Sequence, residues 1–154
     1  MEAVIDAQLK AKILSILQEN RTMAIATLRP DGWPQTTRVG FASEGLVLHF
    51  LCAPESQKAA NLAHDDRVSL TIDDNCAQVM KLTGLSMAAR ATHVEDPAES
   101  AKLMAALMTK YPQQESMPDP MPPPESAYIF RVVPTVISVL DYTKGFGHTD
   151  LVTC

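Results

Sequence analysis

The sequence predicts a mainly β, α+β fold in which an antiparallel barrel is decorated by short helices. Three observations carry that prediction. Short apolar or alternating runs recur along most of the 154 residues, joined by turns as hairpin-connected strands are. Helical periodicity is confined to three short segments. The hydrophobic content, 46%, is ample for one core in a chain of this length.

Taken in order, Ile5, Leu9, Ile13, Ile16 and Leu17 recur at helical spacing while Glu2, Lys10, Lys12 and Glu19 fall elsewhere. This predicts an amphipathic helix over about 6–19. β-branched and apolar residues from Thr22 to Leu28 predict a first strand, and Arg29-Pro30-Asp31-Gly32 the turn that ends it. A second strand follows from about Gln35 to Ala42, with Glu44-Gly45 as the tip of a hairpin. Leu46–Leu51, nearly all apolar, returns as a strand covered on both faces. Ser56 opens a short helix to about His64. Arg67–Ile72 alternates with period two and ends at Asp73-Asp74-Asn75.

Roughly Cys76 to Val94 reads as a further strand region, bent or bulged near Gly84. Asp96-Pro97-Ala98-Glu99 supplies the N-cap, first-turn proline and third-position acid of a helix start, which predicts a helix to about Lys110. Leu103, Met104, Leu107 and Met108 form its buried face. Residues 111–125 hold six prolines and little pattern, and read as an extended loop. A strand from about Ala127 to Tyr142 resumes the same core, so residues 1–154 are expected to form one domain with a C-terminal tail over 143–154.

Composition narrows the function classes. A formal net charge of −5 argues against general nucleic-acid binding, which needs a basic face, so any anion site must be a local positive pocket. Cys52, Cys76 and Cys154 are odd in number and lack CxxC spacing; this predicts neither a disulfide framework nor a zinc site, and a reducing cytoplasm is the natural compartment. The acidic N-terminus has no long apolar run, and no segment reaches the length of a membrane span. His49, His64, His93 and His148 show neither metal spacing nor a Ser/His/Asp order, so no metal site and no catalytic set is assigned. Asp65-Asp66 and Asp73-Asp74 read as turn chemistry, and Trp33 either lines a substrate entrance or the dimer surface, or covers the barrel end.

The chemistry concentrates in Arg38 and in Ser56-Gln57-Lys58. The first turn of a helix leaves backbone N–H groups unpartnered at the positive end of the macrodipole, which favours an anion there. Ser56 adds a hydroxyl and Lys58 a mobile charge. If the hairpin at Glu44-Gly45 forms, Arg38 falls across from about Phe50 or Leu51, placing a bidentate donor near the same helix start. Singly these are an ordinary N-cap and ordinary surface charges; together they make a phosphate pocket.

The order strand, Asp-Gly turn, strand with Arg38, strand, Ser56-x-Lys58-x-x-Asn61-Leu62 helix, then Asp65-Asp66-Arg67-Val68-Ser69-Leu70, resembles the pyridoxamine 5′-phosphate oxidase-like, FMN-binding split-barrel superfamily. The match is good over roughly Arg21 to Asp74 and looser beyond. The resemblance implies a six-stranded antiparallel split β-barrel with peripheral helices, and a homodimer with FMN in the groove between subunits. It puts Arg38 and Lys58 on the FMN phosphate with Ser56 and Gln57 beside it. Phe50, Leu51 and Cys52 would run along the flavin, with Val39 next to them, and Asn61 would tie the helix to the barrel.

True oxidases of this family are longer and end in an arginine and histidine that hold the vitamin substrate. This chain closes instead with Asp141-Tyr142-Thr143-Lys144-Gly145-Phe146-Gly147-His148-Thr149-Asp150, so that substrate is not expected. Lys144, Phe146 and His148 offer charge, an aromatic and a titratable ring that could fold over a flavin. The other reading is a frayed end whose Phe146 plugs the barrel. The functional expectation is an FMN-dependent oxidoreductase using NAD(P)H or another donor to reduce oxygen or a small organic acceptor. The alternatives are a flavin-binding stress, sensor or carrier protein, or a split barrel that binds haem or a deazaflavin.

Overall fold

The computed structural model describes residues 5–111 and 126–154. The proline-rich stretch read as a loop over 111–125 lies, from residue 112 onward, outside the described residues. In chain order the elements are α1 (Ala7–Glu19), β1 (Thr22–Leu28), β2 (Pro34–Gly40), β3 (Ala42–Glu44), β4 (Val47–Cys52), α2 (Gln57–His64), β5 (Arg67–Asp73), β6 (Thr83–His93), α3 (Pro97–Lys110), β7 (Tyr128–Asp141) and β8 (Thr149–Thr153). Ser56 and Asp96 cap their helices with side-chain oxygens, as their sequence positions predict, and Asp6 does the same for α1.

The strands form one antiparallel sheet in the order β2-β1-β5-β6-β7-β4-β3, with β8 added to β7. β2 and β3 sit at opposite ends of that order, yet only Phe41 separates them in sequence. The sheet must therefore curl until its two edges meet at Phe41, and this closes the half-barrel. The Phe41 N–H leaves the ladder at the break, donating to the Arg21 carbonyl at 3.2 Å and to Tyr111 Oη at 3.1 Å.

The antiparallel α+β barrel is as expected, but it has eight strands where six were predicted. One extra strand arises because the segment read as Gln35–Ala42 breaks at Phe41. The other arises because the tail returns: Thr149–Thr153 pairs with Val136–Leu140. β7 is long enough to serve two neighbours on one edge, β4 through Tyr128–Val132 and β8 through Val136–Leu140.

The strand region expected from Cys76 begins only at Thr83, after a 3-10 turn at Val79–Lys81. Its irregularity lies at Ala88/Ala89, not at Gly84. Across from it, Pro134 has no N–H to give to a ladder and Thr135 is the extra residue, its hydroxyl donating to the Ala88 carbonyl at 3.1 Å. Gly84 is regularly paired with Asp73 and Leu140. A Cβ on it would lie 2.9 Å from the Ile72 carbonyl oxygen, so close packing and not bending requires the glycine.

The core sits inside the curl, where Met23, Ile25, Leu48, Phe50, Leu70, Ile72, Leu85, Met87 and Val139 meet Ile13 and Leu17 of α1. Phe50 is fully buried and stacks on Phe130 with centroids 5.4 Å apart. Lys12 of α1 forms an ion pair with Asp141 at the end of β7, a buried carboxylate. A second apolar cluster, Val94, Leu103, Met104 and Ile129 with Leu51 and Met108, seats α3 on the outer face of the sheet.

Candidate functional site

β2 pairs with β1, so Arg38 lies opposite Ala24 and not across from Phe50 or Leu51 as the hairpin count predicts. The hairpin exists only at its tip, Ala42–Glu44 against Val47–His49, because the chain leaves it at Phe41. Arg38 is exposed, and its Nη1 donates to Thr22 Oγ1 at 3.1 Å across the β1–β2 ladder. The curl nevertheless carries β2 toward β4. Arg38, Val39 and Gly40 of β2, Thr22 of β1, Leu51 of β4, and Leu107 and Tyr111 at the end of α3 line a cleft of about 400 Å³. One end of that cleft is a guanidinium and a hydroxyl; the rest is largely apolar.

Strand alternation sorts the β4 residues that were expected along the flavin. Leu51 faces the cleft. Phe50 points into the core, so its side chain is not a wall of this site. Cys52 is buried beside the start of α2, where burial pushes its thiol up while a hydrogen bond with Ser56 and the charge of Lys58 pull it back. Leu51 and Cys52, adjacent in sequence, thus connect the Arg38 cleft to the α2 start.

At that helix start Ser56 Oγ accepts the Ala59 N–H at 3.2 Å and the Ser56 carbonyl takes the Ala60 N–H. The N–H groups of Gln57 and Lys58 are the ones a helix of this kind leaves for an outside acceptor. The Gln57 side chain is engaged along the helix, Nε2 donating to Asn61 Oδ1 at 2.9 Å. Asn61, fully buried, donates in turn to Thr27 Oγ1 at 3.0 Å and to Gln35 Oε1 at 3.2 Å. It ties α2 to β1 and β2, the role the motif implied. Arg38 and Lys58 form no ion pair among the described residues.

The tail does not enter this cleft. Gly145 and Gly147 adopt φ of 137° and 77°, conformations that other residues rarely take, and turn the chain into β8. Lys144 lines a different cleft, of about 480 Å³, with Asp6, Gln8, Leu9, Lys12 and Asp150. His148 Nε2 lies 3.1 Å from Asp150 Oδ2. Phe146 is 77% exposed and leans on Tyr142, so it does not plug the barrel. Trp33 is 70% exposed.

Sequence reasoning missed Thr22, Gly40, Leu107 and Tyr111. Tyr111 was assigned to the loop, yet its hydroxyl accepts the Phe41 N–H and donates to the Phe41 carbonyl at 3.3 Å. A Cβ at Gly40 would lie 3.1 Å from that hydroxyl. Next to it, Lys110 stands 3.8 Å from the centroid of the Phe41 ring and donates to the Leu17 carbonyl; burial, then the charge of Arg21, lowers its pKa to about 8. The hydrogen bonds among them join residues 70 and 93 apart, and no local pattern announces them.

A curled antiparallel half-barrel with three helices and a cleft headed by an unpaired arginine defines the split-barrel class. The family model described as pyridoxamine 5′-phosphate oxidase matches residues 9–138, and the chain belongs to this family. No curated protein matches it. Among solved structures it is similar to a conserved hypothetical protein from Mycobacterium tuberculosis (TM-score 0.75, 25% identity, 96% of this chain and 92% of that one). It is also similar to the haem-binding protein from Mycobacterium smegmatis (TM-score 0.76, 20% identity, 98% and 60%). A third similar structure is general stress protein 26 from Bacillus anthracis (TM-score 0.69, 19% identity, 96% and 99%). Identities this low in the last two establish a shared fold.

Proposed function

We propose that this protein binds FMN and acts as an FMN-dependent oxidoreductase, taking electrons from NAD(P)H or another donor and passing them to oxygen or a small organic acceptor. The observation that carries the reading is the cleft itself: Arg38, aimed by Thr22, at one end of an apolar wall of Val39, Leu51 and Leu107. The capped α2 start with Lys58 follows directly along β4. The donor set suits a phosphate monoester, since Arg38 and Lys58 are cations without an acidic partner among the described residues. The residues present therefore fit the cofactor. When bound, FMN supplies the redox chemistry, and the protein binds and orients it and keeps water from it.

In this reading Arg38, Lys58 and the Ser56-Gln57 backbone hold the phosphate, and Val39, Leu51 and the backbone of Phe50 and Cys52 border the ring. The functional unit is a homodimer with the cofactor between subunits, and Lys144, Phe146 and His148 of one subunit complete the site of the other. Three free thiols suit a reducing compartment, the cytoplasm.

The absorption spectrum of the protein as isolated, and again after addition of FMN and removal of excess, tests the proposal. Flavin bands that bleach with NADH or NADPH and return in air at a turnover rate are expected. A protein that stays colourless with FMN overturns it. Flavin bands without turnover leave a carrier or sensor, and a deazaflavin shows its own bands. A Soret band identifies haem, the reading favoured by the similarity to the mycobacterial haem-binding protein.

A further inference from the structure

We infer that a second cleft, beneath the N-terminal half of α3, is a binding site for a small oxyanion, a carboxylate or a phosphate. The same alternation that brings Leu51 to the Arg38 cleft brings His49, two residues earlier, to the outer face of β4. There it lines a separate cleft of about 310 Å³ with Glu44, Glu99, Lys102 and Arg131. Arg131 is the direct cross-strand neighbour of His49 on β7. Glu99 and Lys102, three residues apart on one helical face, come down from α3.

His49 is only 4% exposed, and its ring makes no hydrogen bond among the described residues. A ring nitrogen that opens onto a cleft takes its hydrogen bond from whatever fills the cleft, water or ligand. β3, β4 and β7 surround this ring, and none of them supplies a partner to it. The ring nitrogens keep contact with the open cleft, so a ligand there can reach them.

The charges around the ring decide what that partner is. Glu99 is already neutralised in an ion pair with Arg131. A guanidinium has five N–H donors and a carboxylate engages at most two of them in a fork, so Arg131 keeps donors for a ligand. Lys102 has no ion pair among the described residues. Glu44 on β3 is the remaining acid. Burial first, then the charges of Arg131 and Lys102, hold the imidazole below its ordinary pKa, against an opposing contribution from Glu44. These influences favour the neutral ring, which offers one N–H beside two cations, and an oxyanion satisfies all three.

A bound anion also reverses the field on the ring, so occupancy is readable as a rise in the His49 pKa. The test is ¹H–¹⁵N NMR of the histidine rings in the full chain, titrated with acetate and separately with inorganic phosphate, with ionic strength held by chloride. We expect a saturable shift of the His49 signals and a raised pKa. Lys102→Gln, a change on the exposed side of α3, should weaken the apparent affinity at least fivefold, and Arg38→Ala should leave it unchanged. A response to acetate alone marks a carboxylate site, and a response to phosphate alone a phosphate site. A His49 that ignores both anions, or a shift that chloride reproduces or Lys102→Gln does not weaken, overturns the inference and leaves ordered water as the ring's partner.

Discussion

At the scale of single residues, the candidate site rests on two cations with different degrees of preparation. Arg38 is held in direction by Thr22, whereas Lys58 is a flexible stem at a capped helix start. Replacing either by Ala should weaken FMN binding by about 1–3 kcal/mol, the range for charged hydrogen bonds, as read by quenching of flavin fluorescence. Unchanged affinity in both variants would move the phosphate elsewhere. Asp141 gives a pH prediction. Hydrogen bonds first from Lys12 and then from Thr143 hold its carboxyl at about 2, against an ordinary 3.8. A depressed carboxylate stabilises the fold above its ordinary value, and that contribution is lost as pH falls through the folded one. Asp141→Asn should therefore be less stable than the natural protein at pH 7, by about 1–3 kcal/mol. Urea midpoints should show the gap closing between pH 3.8 and about 2; a gap independent of pH would mean that the ion pair contributes nothing.

At the scale of elements, local chemistry and long-range pairing made separable contributions. Caps, turns and periodicity placed α1, α2, α3, β1, β5 and β7 within a residue or two, since each is written in neighbouring side chains. The strand around Arg38 was misread for a physical reason. A hairpin with a good Glu44-Gly45 tip normally continues, and nothing near Phe41 in sequence says that its N–H will turn to Arg21 and Tyr111. Gly84 was likewise legible as special, but the reason was close backbone packing and not a bend. Gly84→Ala should thus cost about 1–3 kcal/mol, because the obstacle is the Ile72 backbone and cannot rotate away. A thermal midpoint equal to that of the natural protein would contradict this.

At the scale of the whole molecule, closure of the sheet is what creates the site. β2 and β3 lie at the two ends of the strand order, one residue apart in the chain, and the cleft opens where those ends are brought together and α3 covers the seam. The proposed dimer belongs to this scale too. Phe146, Leu151 and Val133 leave apolar surface exposed on one protomer, at 77%, 67% and 44%, as an isologous contact would use. Sedimentation should give the mass of two chains with or without FMN. A monomer that still binds one FMN per chain would rule out a site shared between subunits.

By itself the sequence determined the fold class and most element boundaries, because each is encoded within a few residues by caps, turns or alternation, and its motif order carried the resemblance to the family. Only the tertiary structure decided which of those residues meet. It withdrew Phe50 into the core, turned Gln57 toward Asn61, brought Tyr111 and Thr22 to Arg38, and set the tail along β7. It also turned His49 toward a second cleft, beside Arg131. These outcomes depend on pleat direction and on contacts between residues far apart in the chain, where the direction of each side chain is set by the strand opposite and not by its neighbours in sequence.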